Sequence, residues 1–148
     1  MEEQVTERMI IRGTPELCFE VLTAFEAYPE WAADIKAVTI NEQDSQGRAA
    51  QVTYRAAAFG RSTSYTLQYE YAGAPAELSW TQVDGDLTRR LDGSYQLVPS
   101  GDGGTEIAYR LVVDLKVPLP GFVKRRAEGR IMRTALSELK VRVESRIG

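Results

Sequence analysis

The C-terminal stretch of the chain, residues 117–147, reads VPLPGFVKRRAEGRIMRTALSELKVRVESRI, and this stretch decides the fold. Its apolar or small residues recur every four positions, a spacing that places them on one side of an α-helix. They are Val123, Ala127, Ile131, Ala135, Leu139 and Val143, and the stripe is widened by Phe122, Met132, Leu136 and Ile147. At about 1.5 Å per residue the helix extends roughly 40 Å. Because only one side of it is apolar, it requires a concave partner surface.

The rest of the chain consists mostly of short segments with the pattern of β-strands. Segments that alternate apolar and polar residues, or are rich in β-branched residues, cover 4–12, 34–43, 49–58, 62–72, 77–83, 87–98 and 105–116. Two helix starts interrupt them, one at Thr14-Pro15-Glu16 and a shorter one at Tyr28-Pro29-Glu30-Trp31. The later strands are separated by short turn-like breaks, 59–61 among them, so we expect an antiparallel meander. Because twisted sheets of this size curl, we predict an α+β half-barrel of about seven strands with the long helix across its mouth.

The composition excludes several classes of protein. The 148 residues are 43% hydrophobic and 26% charged with a net charge of −3, so we expect one globular domain, 1–148, and no nucleic-acid partner. No apolar run approaches the roughly 20 residues that span a bilayer, and the acidic start Met1-Glu2-Glu3 has no apolar signal segment. The single cysteine, Cys18, cannot form an intramolecular disulfide, and we expect a cytoplasmic protein. The absence of histidine removes Ser-His-Asp and Cys-His catalytic sites and nearly all zinc sites, so we expect neither a metal nor a cofactor.

Five short motifs occur in an order that resembles a known family. They are TPE at 14–16, YPEW at 28–31, DGSYQLVP at 92–99, GTEIAY at 104–109 and PLPGF at 118–122. Together with the predicted element order, they resemble the helix-grip fold of the START-like, or Bet v 1-like (SRPBCC), superfamily, and its polyketide cyclase/dehydrase branch in particular. The resemblance covers essentially the whole chain. It implies a deep cavity between the sheet and the long helix that binds a lipid, a polyketide, an isoprenoid or another apolar molecule. The superfamily also contains coenzyme-Q-binding and ribosome-associated proteins, so the fold leaves the activity open.

Large aromatic side chains dominate the strand faces that alternation turns inward. We expect them to line the cavity with apolar walls and a few hydrogen-bonding groups, and the alternative is that they simply fill the core. Small residues on the same faces, Ala56 and Ala58 on a strand with Ala127 and Ala135 on the helix, leave room and favour a cavity. The candidate ligand-binding residues are Tyr54, Tyr65, Tyr69, Trp80, Tyr95 and Tyr109 on strands, Trp31 after the second helix start, and Phe122 and Met132 on the long helix.

Arg89 is the charged residue that alternation places inward, between Leu87 and Leu91. A buried guanidinium needs an anionic partner, so an inward Arg89 would hold a ligand carboxylate or stabilise an enolate. In the alternative, Arg89 lies at the edge of the sheet near residues 84–86, where it reaches water or pairs with Asp86.

Three functions fit these features. The first is a non-catalytic binding or carrier module for a hydrophobic small molecule. The second is a cyclase, aromatase or dehydratase that folds a polyketide-like substrate in the same pocket, with Arg89 and Tyr95 as catalytic candidates. The third is an interaction protein that uses the basic residues at 124–126 with Arg130 and Arg133. That stretch also suits transient contact with an anionic membrane surface, or it is a solvated helix face. No obligate protein partner is evident.

Overall fold

A computed structural model describes residues 4–58 and 60–147 and shows a curved, seven-stranded antiparallel sheet that holds a long helix. The strands are β1 (Gln4–Ile11), β2 (Ile35–Gln43), β3 (Ala49–Ala58), β4 (Arg61–Glu70), β5 (Glu77–Gly85), β6 (Thr88–Pro99) and β7 (Thr105–Leu115). The helices are α1 (Pro15–Thr23), α2 (Tyr28–Trp31) and α3 (Gly121–Ser145), and a 3₁₀ turn at Phe25–Ala27 joins the first two. The predicted α+β helix-grip architecture is confirmed. The turn predicted at 59–61 includes Phe59, which lies outside the described residues.

The order of the strands across the sheet is β1-β7-β6-β5-β4-β3-β2. Strands β2 to β7 pair with their neighbours in sequence, as a meander requires, while β1 pairs with β7 from Gln4↔Val112 to Ile11↔Thr105. The two edge strands, β1 and β2, are therefore consecutive in the chain. The segment with α1 and α2 carries the chain from one edge of the sheet to the other.

Irregular pairing gives the sheet its curvature. The register shifts in β2 between Ile35 and Ala37, between β4 and β5 at Thr66, and in β6 between Thr88 and Arg90. Bulges of this kind bend a strand and increase its twist. The concave face that results is the surface that the sequence of α3 requires.

The first residues of α1 and α3 are set by prolines and, in α1, also by a capping hydroxyl group. The Thr14 hydroxyl oxygen accepts the Leu17 N–H at 3.1 Å, and Pro15 takes the first helical position. In α3 the helix begins at Gly121 rather than at Val117, because Pro118 and Pro120 precede it and Pro120 occupies the N-cap position. The first four residues of the predicted helix therefore form a non-helical approach to it.

The hydrophobic core lies between the sheet, α1 and the C-terminal half of α3. On α3 the buried apolar residues are Met132, Leu136, Leu139 and Val143, which belong to one cluster with residues of α1 and the sheet. Cys18 of α1 is completely buried in this cluster. In the part of the chain that the structure describes, no helix combines the length and the apolarity needed to cross a membrane.

Candidate ligand-binding pocket

A pocket of 170 Å³ lies between the concave face of the sheet, α2 and the middle of α3. The sheet contributes side chains from β3 to β7, and α3 contributes Glu128, Ile131, Thr134, Ala135 and Glu138. Most of the lining is apolar or aromatic, as in sites that take up small organic molecules.

Aromatic rings form a continuous layer along one side of this pocket. Trp80 is central, since its ring centroid lies 5.9 Å from that of Tyr69, 5.3 Å from Tyr95 and 6.1 Å from Tyr109. The structure brings seven of the sequence-predicted residues together in the lining, namely Trp31, Tyr54, Tyr65, Tyr69, Trp80, Tyr95 and Tyr109. Their rings pack on one another, so they occupy much of the space that the resemblance assigned to a deep cavity.

Glycine at position 93 makes room for this layer. Gly93 pairs with Trp80 on β5 and with Leu111 on β7, and a Cβ built on it would lie 2.7 Å from Trp80 Cζ2. The same Cβ would collide with the Arg110 carbonyl oxygen, so any larger residue would displace the indole ring or the neighbouring backbone. The glycine of the DGSYQLVP motif is therefore part of the pocket's construction.

The tyrosine hydroxyls in the pocket are donors or acceptors of hydrogen bonds and do not serve as bases. The Tyr54 and Tyr69 hydroxyl oxygens lie 2.6 Å apart and share a hydrogen bond. Burial raises the pKa of both tyrosines well above the usual range, and it does the same for Tyr95 and Tyr109. At neutral pH these side chains therefore stay protonated.

Three polar atoms of the pocket lining have no hydrogen-bond partner within the protein. They are the indole Nε1 atoms of Trp31 and Trp80 and the Oε2 atom of Glu128, and they make up three of the four such buried side-chain atoms in residues 4–58 and 60–147. Buried polar groups are normally paired, because an unpaired one costs about 1–3 kcal/mol. The residues that line the pocket therefore carry two unpaired donors and one unpaired acceptor.

The inward orientation that alternation predicts for Arg89 is wrong. Arg89 is exposed and does not line the pocket, whereas its neighbour Thr88 is buried and does. The cause is the register shift between Thr88 and Arg90, which adds a residue to β6 and reverses the side-chain alternation there. Arg89 thus cannot hold a ligand in this pocket, and of the two catalytic candidates only Tyr95 lies inside it.

Two residues of the predicted helix stripe also lie away from the pocket. Phe122 is 64% exposed, because it sits in the first turn of α3, before the helix reaches the sheet. Met132 is completely buried but belongs to the core beside Leu136 rather than to the pocket lining. The predicted stripe therefore divides between two environments, since Ile131 and Ala135 face the pocket while Met132 faces the core.

The sequence places Glu128 one helical turn after Lys124, the spacing of a helical ion pair, and does not mark it as a pocket residue. The ion pair exists, with Lys124 Nζ 3.4 Å from Glu128 Oε2, but Glu128 is only 2% exposed. The sequence does contain a signal for the burial of Glu128, because position 128 is in helical repeat with positions 132, 136, 139 and 143, which are all buried. Within residues 4–58 and 60–147, no three His, Cys, Asp or Glu side chains form a group that could hold a metal ion.

Comparison with known proteins agrees with this architecture. The sequence profile of the family described as polyketide cyclase / dehydrase and lipid transport matches residues 2–144. Among curated proteins, none matches the chain in sequence. Similar solved structures include a START superfamily protein from Mycobacterium smegmatis, with 23% identity, a TM-score of 0.91 and coverage of 98% of this chain and 99% of that one. The Zhui aromatase/cyclase from Streptomyces sp. R1128 has 12% identity, a TM-score of 0.86 and coverage of 100% and 97%.

A third protein of similar fold is a lipid transfer protein. The STAR-related lipid transfer protein from Xanthomonas axonopodis has 17% identity and a TM-score of 0.73, with coverage of 95% of this chain and 85% of that fragment. At these identities the structural matches establish the fold alone, and the profile match over residues 2–144 establishes the family. The chain belongs to the family of polyketide cyclases, dehydrases and lipid-transport proteins, and it has the START-type helix-grip fold.

Proposed function

We propose that the protein binds or carries a hydrophobic small molecule of lipid, polyketide or isoprenoid type in the pocket between the sheet and α3. The observation that supports this most directly is a largely apolar pocket of 170 Å³ walled by aromatic rings. An engineered apolar cavity of about 150 Å³ is large enough to bind benzene. The ligand that fits is therefore a small ring system or the end of a longer chain.

The family supports the same class of ligand. Its description joins polyketide chemistry with lipid transport, and the relatives of similar fold include an aromatase/cyclase and a lipid transfer protein. Lipids and polyketides as chemical classes are largely apolar molecules that carry a few oxygen atoms. A pocket with apolar walls and three unpaired polar atoms suits such molecules.

Uptake of a neutral fluorescent probe tests the proposal. We expect N-phenyl-1-naphthylamine to bind saturably to the purified protein, and native mass spectrometry of the freshly purified protein to detect a copurified apolar compound. Ala135→Phe fills the pocket and should abolish probe uptake, because Ala135 lines it. Val141→Phe is the matched control, since Val141 lies on the same helix and is 70% exposed. Non-saturable uptake, or equal uptake by both variants, would contradict binding in this pocket.

A cyclase- or dehydratase-type enzyme is the second candidate, and Glu128 is the observation that favours it. A carboxylate that faces an apolar pocket can take a proton from an activated carbon, whereas the tyrosines are held protonated by their raised pKa values. Incubation with a poly-β-keto thioester mimic, followed by mass spectrometry, tests for turnover. We expect Glu128→Gln to abolish any turnover. Turnover that survives in Glu128→Gln would remove this assignment.

Transient contact with an anionic membrane is proposed for the approach to α3. Val117 and Phe122 are 46% and 64% exposed, and the exposed Arg125 and Arg126 follow them. Apolar side chains beside basic ones suit the surface of an anionic bilayer. Sedimentation with phosphatidylglycerol-containing vesicles should be weakened by Phe122→Asp. Equal sedimentation of the wild-type and variant proteins would contradict the contact.

A further inference from the structure

Glu128 is a buried carboxylate of the pocket lining whose Oε2 atom has an ion pair but no hydrogen bond within the protein. Its side chain is 3% exposed, and its Oε2 atom accepts no hydrogen bond from the protein. Among the described residues its ion-pair partner is Lys124, whose ammonium group lies one helical turn away at 3.4 Å without hydrogen-bond geometry. A buried carboxylate retained in this state is a strong acceptor for a donor carried by an occupant.

The charged side chains in the described lining of the pocket are all acidic. Apart from the tyrosines, the ionisable side chains that line it are Asp34, Glu128 and Glu138, and no arginine or lysine of residues 4–58 and 60–147 joins them. Glu138 is already engaged, since its Oε2 atom accepts the Ala33 N–H at 3.1 Å. An anionic ligand would meet only like charges among the charged side chains of the lining, and the neutral N–H and O–H donors there would compensate only part of the loss of its hydration.

Lys124 determines whether a ligand group that donates to Glu128 can carry a positive charge. A second ammonium group at Glu128 would lie close to the first and be repelled by it, whereas a neutral hydroxyl would not. The indole N–H groups of Trp31 and Trp80 also lack partners in the same pocket. The oxygen atoms of a hydroxylated ring compound can both donate to a carboxylate and accept from an indole N–H.

We propose that Glu128 selects a neutral, hydroxyl-bearing ring compound, such as a phenol or a cyclic alcohol, by accepting the hydrogen bond of its hydroxyl group. The inference rests on the proposed function, because it assigns the polarity of a ligand that the pocket binds. It predicts that carboxylic acids of the same size are excluded.

The test compares naphthalene derivatives that differ at one group. Affinities of 2-naphthol, 2-methoxynaphthalene, 2-naphthoate and 2-(aminomethyl)naphthalene are measured by calorimetry at neutral pH. For the wild-type protein we expect 2-naphthol to bind about tenfold or more tightly than its methyl ether, the range for a hydrogen bond to a charged group. We expect 2-naphthoate to bind most weakly.

Two variants and a matched control locate the effect. In Glu128→Leu the preference for the hydroxyl should fall below about threefold while the methyl ether still binds, and Glu128→Gln, which keeps the size, should lie between. Glu144→Gln is the control, because Lys140 and Glu144 form the same four-residue pair on α3 outside the pocket. It should keep the wild-type preference.

The outcomes separate this inference from the proposed function. Equal affinities of the wild-type protein for 2-naphthol and its ether, or a preference that survives in Glu128→Leu, would overturn the role of Glu128 and leave apolar binding standing. Tighter binding of the amine or of the naphthoate than of the naphthol would overturn the choice of a neutral hydroxyl. Binding of none of the four compounds would overturn both proposals.

Discussion

Replacing Glu128 by leucine should make the protein more stable. The Glu128 Oε2 atom is buried without a hydrogen-bond partner, a state that costs about 1–3 kcal/mol. Against this gain stands the loss of the ion pair with Lys124, whose side chain is 25% exposed, and such a pair contributes about 0–1 kcal/mol. Helix propensities of glutamate and leucine are similar, so they change little. The expected net gain in the free energy of unfolding is about 1–2 kcal/mol, or about 2–8 °C in Tm for a chain of this size.

Urea and thermal denaturation followed by circular dichroism measure this change, and a second Lys-Glu pair provides the control. Glu144 accepts the Arg12 N–H at 3.0 Å and contacts Lys140 Nζ at 2.5 Å, and these hydrogen bonds lower its pKa. Glu144→Leu removes satisfied bonds and should therefore lower the stability. The two substitutions are chemically identical, and only the surroundings of the carboxylate differ. A Glu128→Leu protein that is less stable than the wild type would refute the reasoning.

Three further predictions concern the sheet and the tyrosines. Gly93→Ala should lower the free energy of unfolding by about 1–3 kcal/mol, because its Cβ would collide with the Arg110 carbonyl oxygen and with Trp80; an unchanged urea midpoint would contradict this. Arg89→Ala should leave probe uptake unchanged and stability within about 0.5 kcal/mol, and a loss of uptake would restore the inward orientation. Burial raises the pKa of the pocket tyrosines above the ordinary value of 10.0, so only the unfolded chain releases their protons at about that pH. Stability should hold below about pH 10 and fall above it, by about 1.4 kcal/mol per pH unit for each tyrosine, and tyrosinate absorbance should appear only with unfolding.

Local sequence patterns predict the architecture well because each depends on a few neighbouring residues. The period-two segments place β3 at its observed bounds, Ala49–Ala58, and the other strands within a few residues of theirs. The Thr14-Pro15 start of α1 follows from one hydroxyl and one fixed backbone angle. The four-residue spacing predicts α3, and with it the need for a concave sheet.

The sequence does not predict the positions of side chains that depend on a β-bulge or on how α3 packs against the sheet. One extra residue in β6 reverses the side-chain alternation at Arg89, and no local pattern marks a bulge in advance. A helix with ten apolar or small positions has a wide apolar face, and only its packing on the curved sheet decides which of these residues enter the core, as Met132 does, and which line the pocket, as Ile131 does. The size of the pocket depends on how the rings of Trp80 and its neighbours pack, which is a property of the assembled fold.

The position of the two indole rings makes the intrinsic tryptophan fluorescence of the protein a reporter of pocket occupancy. The chain has two tryptophans, Trp31 and Trp80, and both border the same pocket. All of its tryptophan emission therefore comes from side chains that an occupant would touch. Changes in wavelength, lifetime or quenching can follow entry and release of a compound in real time, without a label and without any substitution.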